Sequence, residues 1–156
     1  MKDFINDRWR PILVHNGLSD FGALWQLKAD WFEAPNHRRG GWSGVSRCEL
    51  ALPGGGTRAI FLKRQENHKA RLWTHPLRGG PTFLREFRHI QHCRACGVPA
   101  LEPVYFAMHK AGKDERAILV TEELAGFVSM EDRVQRWLKH GAPARPVRLR
   151  MLEAVA

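Results

Sequence analysis

Hydrophobic residues along this chain fall into short blocks, and most of these blocks have the length of strands. Val45–Leu52 and Thr57–Arg64 flank Pro53–Gly56, a segment of turn-forming residues, so the two blocks predict an antiparallel hairpin. Before them, the proline in Trp31–Asn36 keeps the residue that precedes it out of the helical region, which predicts another strand. Residues 65–82 have no apolar period and carry two prolines and two glycines, so we expect a loop there.

A helical period replaces the strand pattern after this loop. Phe83, Phe87 and Ile90 recur at the spacing of one helix face. Thr82 can cap the start of the helix and Gly97 can end it, which predicts about four turns.

Strand patterns return beyond this helix. The prolines of Gly97–Pro103 exclude a helix, so the chain is expected to cross in extended form to a strand at Val104–His109. Ala111–Asp114 predicts a turn, and the nearly all-apolar block Ala117–Thr121 is typical of a buried central strand. Glu122–Gly126 then forms an acidic connector.

Further helices are predicted near the two ends of the sequence. Ser19 can cap a short first helix, and Ser129 with Asp132 makes a capping pair for a later helix that Gly141 ends. A last helical pattern runs over Val147–Ala156. The apolar positions of the helix after Ser19 are Phe21, Leu24 and Trp25. Those of the helix after Ser129 are Met130, Val134, Trp137 and Leu138.

Charge narrows the possible partners. The 156 residues include 25 Lys and Arg against 16 Asp and Glu, a formal net charge of +9, which favours a polyanionic neighbour such as nucleic acid, nucleotide phosphates or an anionic membrane surface. A local concentration of basic residues comprises Arg64, His68, Lys69, Arg71, His75 and Arg78.

The compartment is predicted from what the sequence lacks. No apolar run approaches the roughly 18 residues of a membrane helix, and acidic residues stand where a signal peptide needs an apolar core. Three cysteines do not make a secreted disulfide framework. We therefore expect a cytoplasmic protein with reduced thiols.

The segment Arg39–Val45 (RGGWSGV) carries the first candidate chemistry, because the amides of a glycine-rich turn can approach phosphate oxygens closely. Lys63 ends the apolar run that follows and can add a positive charge to the same oxygens. A carboxylate must hold this lysine, and Glu86 is the only acid between Thr82 and Gly97. Each signal alone is weak, but their order and spacing together indicate a nucleotide-binding lobe.

The order of elements predicts an α+β fold: the small lobe of a protein kinase-like structure, with a twisted antiparallel sheet of about five strands and one helix packed on it. Residues 1–30 are expected to form an N-terminal extension with a short helix. Residues 31–126 would form the lobe itself. Residues 127–156 would contribute a connector and the first helices of a large lobe that this chain does not complete.

A family resemblance extends this interpretation. Residues 34–47, together with Phe61–Gln65, Arg85–Phe87 and Gly97–Pro99, resemble the bacterial lipopolysaccharide kinase family of the InaA and WaaP type. The resemblance runs from about residue 31 to residue 137. It implies a eukaryotic-like kinase fold that uses ATP and Mg²⁺ to phosphorylate heptose or Kdo, the sugars of the lipopolysaccharide inner core.

The resemblance also implies roles for particular residues. Lys63 and Glu86 would form the catalytic ion pair, with Lys63 also contacting the nucleotide. Glu122 and Leu124 would line the adenine through backbone groups. The phosphates would be covered by Gly40, Gly41, Ser43 and Gly44.

Two departures from the kinase pattern limit these expectations. In an alignment with G-x-G-x-x-G-x-V, Gly41 and Gly44 take the second and third glycine positions, while Arg39 replaces the first glycine and Ser46 the valine. After Trp137 there is no His-x-Asp loop and no Asp-Phe-Gly site, so we assign no metal ligand in this chain. We expect the nucleotide-binding half of a kinase, inactive alone, whose partners are ATP and a core sugar.

Two other functions remain open. A basic module that binds RNA or an anionic membrane surface would use the charge and the six tryptophans, and association with the inner membrane is also compatible with a kinase. For nucleic acid the case is weaker, since Trp25 and Trp137 occupy the apolar faces of predicted helices. Cys93 and Cys96, near two histidines, could form a zinc site, but a single such pair is weak evidence.

Overall fold

The computed structural model describes residues 2–38, 40–72 and 75–153, with side chains described for residues 2–38, 40–69 and 80–151. Arg39, Ala156 and the side chains of Arg71, His75 and Arg78, about which the sequence made predictions, lie outside this part. The chain divides into two compact units, Met1–Glu123 and Leu124–Ala156. The boundaries predicted after residues 30 and 126 stay predictions.

Strands dominate the first unit and helices form the second. The elements are β1 (Phe4–Ile5), α1 (Arg10–His15), α2 (Phe21–Gln26), β2 (Trp31–Arg38), β3 (Gly41–Ala51), β4 (Thr57–Glu66), β5 (Lys69–Leu72), β6 (His75–Pro81), α3 (Thr82–Ala95), β7 (Pro103–Ala111), β8 (Asp114–Glu122), α4 (Met130–His140) and α5 (Arg145–Glu153).

Six of the strands form one antiparallel sheet in the order β1-β7-β8-β4-β3-β2. The predicted α+β fold is confirmed, and the predicted hairpin pairs Ala51 with Thr57. The block Ala117–Thr121 lies in β8, between β7 and β4, and is buried as predicted. The sixth strand is β1, whose two residues pair with β7 and are too few for a sequence pattern.

Helices cover both faces of this sheet. On one face, which we call the outer face, Ile60, Leu62 and Ile118 pack in a core with residues of α1 and α2. On the other, the α3 face, Leu119 packs against Phe87 and other residues of α3. Successive residues of a strand point to opposite faces, and the division of these residues between two cores follows that rule.

The N-terminal helices are held to the sheet by a buried arginine. The Nη1 atom of Arg64 donates hydrogen bonds to the carbonyl oxygens of Trp25 and Leu27, at 3.0 and 2.9 Å, where α2 ends. Its Nη2 atom donates to Ser46 Oγ at 3.3 Å, and the guanidinium lies 4.9 Å from the centre of the Trp31 ring. Burial lowers the pKa of Arg64, so this cation is held at an electrostatic cost.

Two predictions about caps were wrong. Asp20, not Ser19, caps α2, since its side chain accepts a hydrogen bond from the amide of Ala23. Thr82 does not cap α3 but is its first residue, and the N-cap position belongs to Pro81, which has no side-chain hydrogen bond. In both cases the N-cap is a residue adjacent to the predicted one, and the sequence alone did not decide between the two neighbours.

The loop predicted at residues 65–82 was also wrong in part. β5 and β6 pair antiparallel as a separate two-stranded ribbon, with Lys69 opposite Pro81 and Ala70 opposite Gly80. Pairing of this kind is made by backbone groups, so it needs no apolar period in the sequence.

The second unit contains the helix predicted before Gly141. Ser129 Oγ accepts a hydrogen bond from the Asp132 amide at 3.0 Å, as the capping pair predicted, and Gly141 ends α4 with φ of +90°. Among the described residues, no helix is both long and apolar enough to cross a membrane.

Candidate functional site

The predicted ion pair forms on the α3 face of the sheet. Lys63 Nζ lies 2.5 Å from Glu86 Oε1, and the two side chains are 18% and 34% exposed. The strands place the lysine, because Lys63 lies in β4 between Val45 of β3 and Leu119 of β8. The helix places the carboxylate, because Phe83 and Phe87 bury one face of α3 against the sheet. The pair therefore joins the two elements that the sequence singled out.

An apolar surface borders the lysine. Val45 is paired with Lys63 and shares its face of the sheet, and it is only 9% exposed. Phe61 lies two residues before Lys63 on the same face, and its ring centre is 5.0 Å from that of Phe32. A cation beside apolar side chains suits a ligand with a flat ring at one end and negative charge at the other.

Strand register separates Ser46 from this surface. The kinase alignment put Ser46 at the valine position, but Ser46 pairs with Leu62 and bonds Arg64 on the outer face. Val45 is the residue that lies beside Lys63, and sequence comparison missed it. Strand alternation counted from Lys63 through the hairpin would have found it.

The predicted glycines have different environments. Gly40 has φ of +78° and borders open space, as expected of a turn residue. A Cβ atom at Gly41 would overlap the Glu66 carbonyl oxygen, and one at Gly44 would lie 2.7 Å from the Trp31 ring. Internal packing is therefore sufficient to require glycine at two of the three positions.

The hairpin of β2 and β3 joins these glycines to the site. Arg38 pairs with Gly41 at the end of this hairpin, and Gly40 lies in its turn. Ser43 is half-buried and pairs with Gln65 of β4, two residues from Lys63 and on the same face. Beside the turn, an open groove of about 450 Å³ is lined by His37, Arg38, Gly40, Gly41, Trp42, Glu66 and Asn67.

The predicted adenine contacts lie where β8 ends. The amide of Glu122 donates to the Glu102 carbonyl and that of Glu123 to the Ala59 carbonyl, each at 3.0 Å. These two amides are therefore occupied within the first unit. Leu124, the other predicted contact, begins the second unit.

Two ion pairs fix the side chains at this strand exit. Glu122 pairs with Arg58 at 3.1 Å. Arg47 donates two hydrogen bonds to the Glu123 carboxylate, at 2.7 and 2.9 Å, and these bonds lower the pKa of Glu123. Glu122 and Glu123 are thus tied to β4 and β3 by arginines that the sequence analysis did not single out.

No metal centre is formed by the residues that the structure describes. Within them, no group of three or more His, Cys, Asp or Glu side chains is arranged to hold an ion. In the segment of Cys93 and Cys96, His92 Nε2 and Cys96 Sγ lie 3.8 Å apart, which makes a pair rather than a ligand set.

Comparisons with known proteins agree with the resemblance noted in the sequence. The model of the lipopolysaccharide kinase (Kdo/WaaP) family matches residues 22–156. Protein InaA of Escherichia coli K12 is 34% identical over 140 residues, which cover 88% of this chain and 60% of InaA. The structure of WaaP in complex with acyl carrier protein matches with a TM-score of 0.55 and 21% identity, covering 92% of this chain and 49% of WaaP.

These matches define both the family and its extent here. The chain spans about half to three fifths of the length of these relatives. The WaaP likeness supports the fold, and the family model covers most of the chain. The chain therefore belongs to the lipopolysaccharide kinase (Kdo/WaaP) family.

Proposed function

We propose that this chain supplies the nucleotide-binding part of an ATP-dependent kinase that phosphorylates heptose or Kdo of the lipopolysaccharide inner core. The observation that carries the proposal is the ion pair of Lys63 and Glu86, built from a strand and a helix on one face of the sheet. The family to which the chain belongs supplies the reaction class.

Lys63 is suited to contact phosphate oxygens. Its ammonium group has three donors, Glu86 accepts from one of them, and the side chain keeps 18% of its surface exposed. A partly exposed ion pair adds little to stability, so its main effect is to fix the position of the charge. In phosphoryl transfer, such positioning and electrostatic stabilisation make up most of the catalysis.

We propose further nucleotide contacts in addition to Lys63. We assign the phosphates to the β2–β3 hairpin, where Gly40, Gly41, Ser43 and Gly44 offer backbone groups. Val45 and Phe61 would contact the adenine ring, and so would the carbonyl group of Glu122, whose amide is already bonded within the first unit. The contact by Leu124 stays a prediction from the sequence. Bound Mg²⁺ would neutralise phosphate charge, and the residues that hold it are expected outside this chain.

Nucleotide binding by the chain itself tests the proposal. Isothermal titration with MgATP should detect binding that Lys63→Met weakens at least about tenfold, a loss of about 1.4 kcal/mol. Lys110→Met is the matched control, because Lys110 is an exposed lysine on β7. Absence of binding by the unsubstituted chain, or an equal loss in both variants, would reject the proposal.

The acceptor and the compartment are proposed for the complete protein. We expect phosphorylation of a core sugar hydroxyl in the cytoplasm, with the inner membrane surface as an anionic neighbour for a chain of net charge +9. The test is transfer of labelled phosphate from ATP to isolated lipopolysaccharide by a full-length family member, compared with its lysine variant. The chain alone should transfer none.

The alternative of a basic binding module has less support. Trp25 and Trp31 both pack on Trp42, and their ring centres lie 5.6 and 6.1 Å, respectively, from that of Trp42. Arg116 lies over the Trp25 ring at 4.7 Å and Arg64 over the Trp31 ring at 4.9 Å. Rings engaged in this way are poor platforms for stacking nucleic-acid bases. Salt-sensitive binding of single-stranded RNA without binding of ATP would favour this alternative.

A further inference from the structure

Helix α3, which carries Glu86, begins without a cap of its own. The N-cap residue, Pro81, forms no side-chain hydrogen bond, and the first amides of any helix lack partners inside it. A strand residue supplies the missing acceptor. Gln65 Oε1 accepts from the Phe83 amide at 3.0 Å and from Thr82 Oγ1 at 2.7 Å.

Gln65 is itself held firmly. Its side chain is 1% exposed, and Nε2 donates to the His68 carbonyl oxygen at 2.7 Å. A buried amide with both ends bonded has little freedom to rotate. The helix start is therefore fastened to a fixed point on β4.

Gln65 and Lys63 fasten the helix at two points. They lie two residues apart on β4 and on the same face, a separation of about 7 Å along the strand. Their partners on α3, Phe83 and Glu86, lie three residues apart, about 4.5 Å along the helix axis. Apolar packing already holds one face of α3 on the sheet, and the two polar contacts add fixed points at the helix start and at Glu86.

We propose that Gln65 is a positioning residue: it holds α3 so that Glu86 meets Lys63 and the lysine is set for phosphate. This inference rests on the proposed nucleotide-binding function. It assigns Gln65 no contact with the ligand, since its polar atoms are already bonded within the protein.

A double-mutant cycle on the dissociation constant of MgATP tests the inference. Gln65→Met keeps the length of the side chain and removes its hydrogen bonds. We expect this change to weaken binding about tenfold when Glu86 is present and by less than about twofold in a Glu86→Gln background. Equal losses in the two backgrounds would show that Gln65 acts on the fold in general, and would overturn the inference.

A milder pair of variants covers the case in which Gln65→Met does not fold. Thr82→Ser keeps the hydroxyl that donates to Gln65, and Thr82→Val removes it with nearly unchanged volume. Thr82→Val should weaken MgATP binding several-fold, whereas Thr82→Ser should bind like the unsubstituted chain; equal binding by both would count against the inference. If the unsubstituted chain fails to bind MgATP, the proposed function fails and this inference with it, whereas binding without coupling rejects the inference alone.

Discussion

Replacing Gly41 by alanine tests why the hairpin of β2 and β3 contains its glycines. A Cβ atom at Gly41 would overlap the carbonyl oxygen of Glu66 and lie 2.7 Å from the backbone nitrogen of His68. These neighbours are main-chain atoms, so no change of rotamer can make room. At Gly40 no atom lies within 4 Å of the Cβ position, and alanine would meet only the strain of a φ of +78°.

The surroundings of Gly41, Gly40 and Gly44 predict losses of different size in the free energy of unfolding when each is replaced by alanine. Forcing an extra methyl group into a packed site costs about 1–3 kcal/mol, so we expect about 3 kcal/mol or more where backbone must move, as at Gly41. A left-handed backbone costs an ordinary residue about 1–2 kcal/mol, the loss expected for Gly40→Ala. Gly44→Ala should cost about 1–3 kcal/mol, because a Cβ atom there would lie 2.7 Å from the Trp31 ring, which is 41% exposed, and 3.3 Å from the Cα atom of Pro35.

Urea unfolding followed by circular dichroism measures these losses. With a slope of about 2 kcal/mol per molar urea, Gly41→Ala should lower the midpoint by about 1.5 M or more, and Gly40→Ala by about 1 M or less. An unchanged midpoint for Gly41→Ala would refute the packing argument. Gly40→Ala is expected to stay folded, so its binding of MgATP then tests the proposed phosphate role of the turn separately.

Other predictions concern caps, cores and acid stability. Asp20→Ala should lower the free energy of unfolding by about 1 kcal/mol through loss of the cap of α2, whereas Asp20→Asn should preserve most of it in the same urea assay. Phe87→Ala should cost about 3–5 kcal/mol, because this ring is 5% exposed; a loss below about 1 kcal/mol in urea unfolding would contradict the packing of α3. Hydrogen bonds from Arg47 lower the pKa of Glu123 below its ordinary value of 4.5. The stabilisation of the fold by this ion pair is therefore fully present above pH 4.5 and is lost as the pH falls through the pKa of Glu123 in the folded protein. Glu123→Gln should therefore flatten the fall of the melting temperature in acid, and an unchanged acid slope would remove Glu123 as its source.

Much of the fold was predictable because its signals are local. The hairpin around Pro53–Gly56, the buried strand at Ala117–Thr121 and the cap at Ser129 each depend on neighbouring residues. The errors arose where partners are distant or backbone groups decide the pairing, as in β1 and in the ribbon of β5 and β6.

The candidate site divides in the same way. Lys63 and Glu86 were predicted from residue type and order, and the structure brings them together. Val45 and Gln65 were missed, because a valine and a glutamine gain meaning only from the face and register on which they lie.

The sequence by itself determined most of the strands and helices, the family, and Lys63 and Glu86 as partners of an ion pair. Those properties follow from local periodicity, turn chemistry and motif order. Only the tertiary structure decided that no room exists for a side chain at Gly41 and Gly44, and that Gln65 of β4 caps α3. The physical reason is that strand register and hydrogen bonds between elements join residues far apart in sequence, where no local pattern records them.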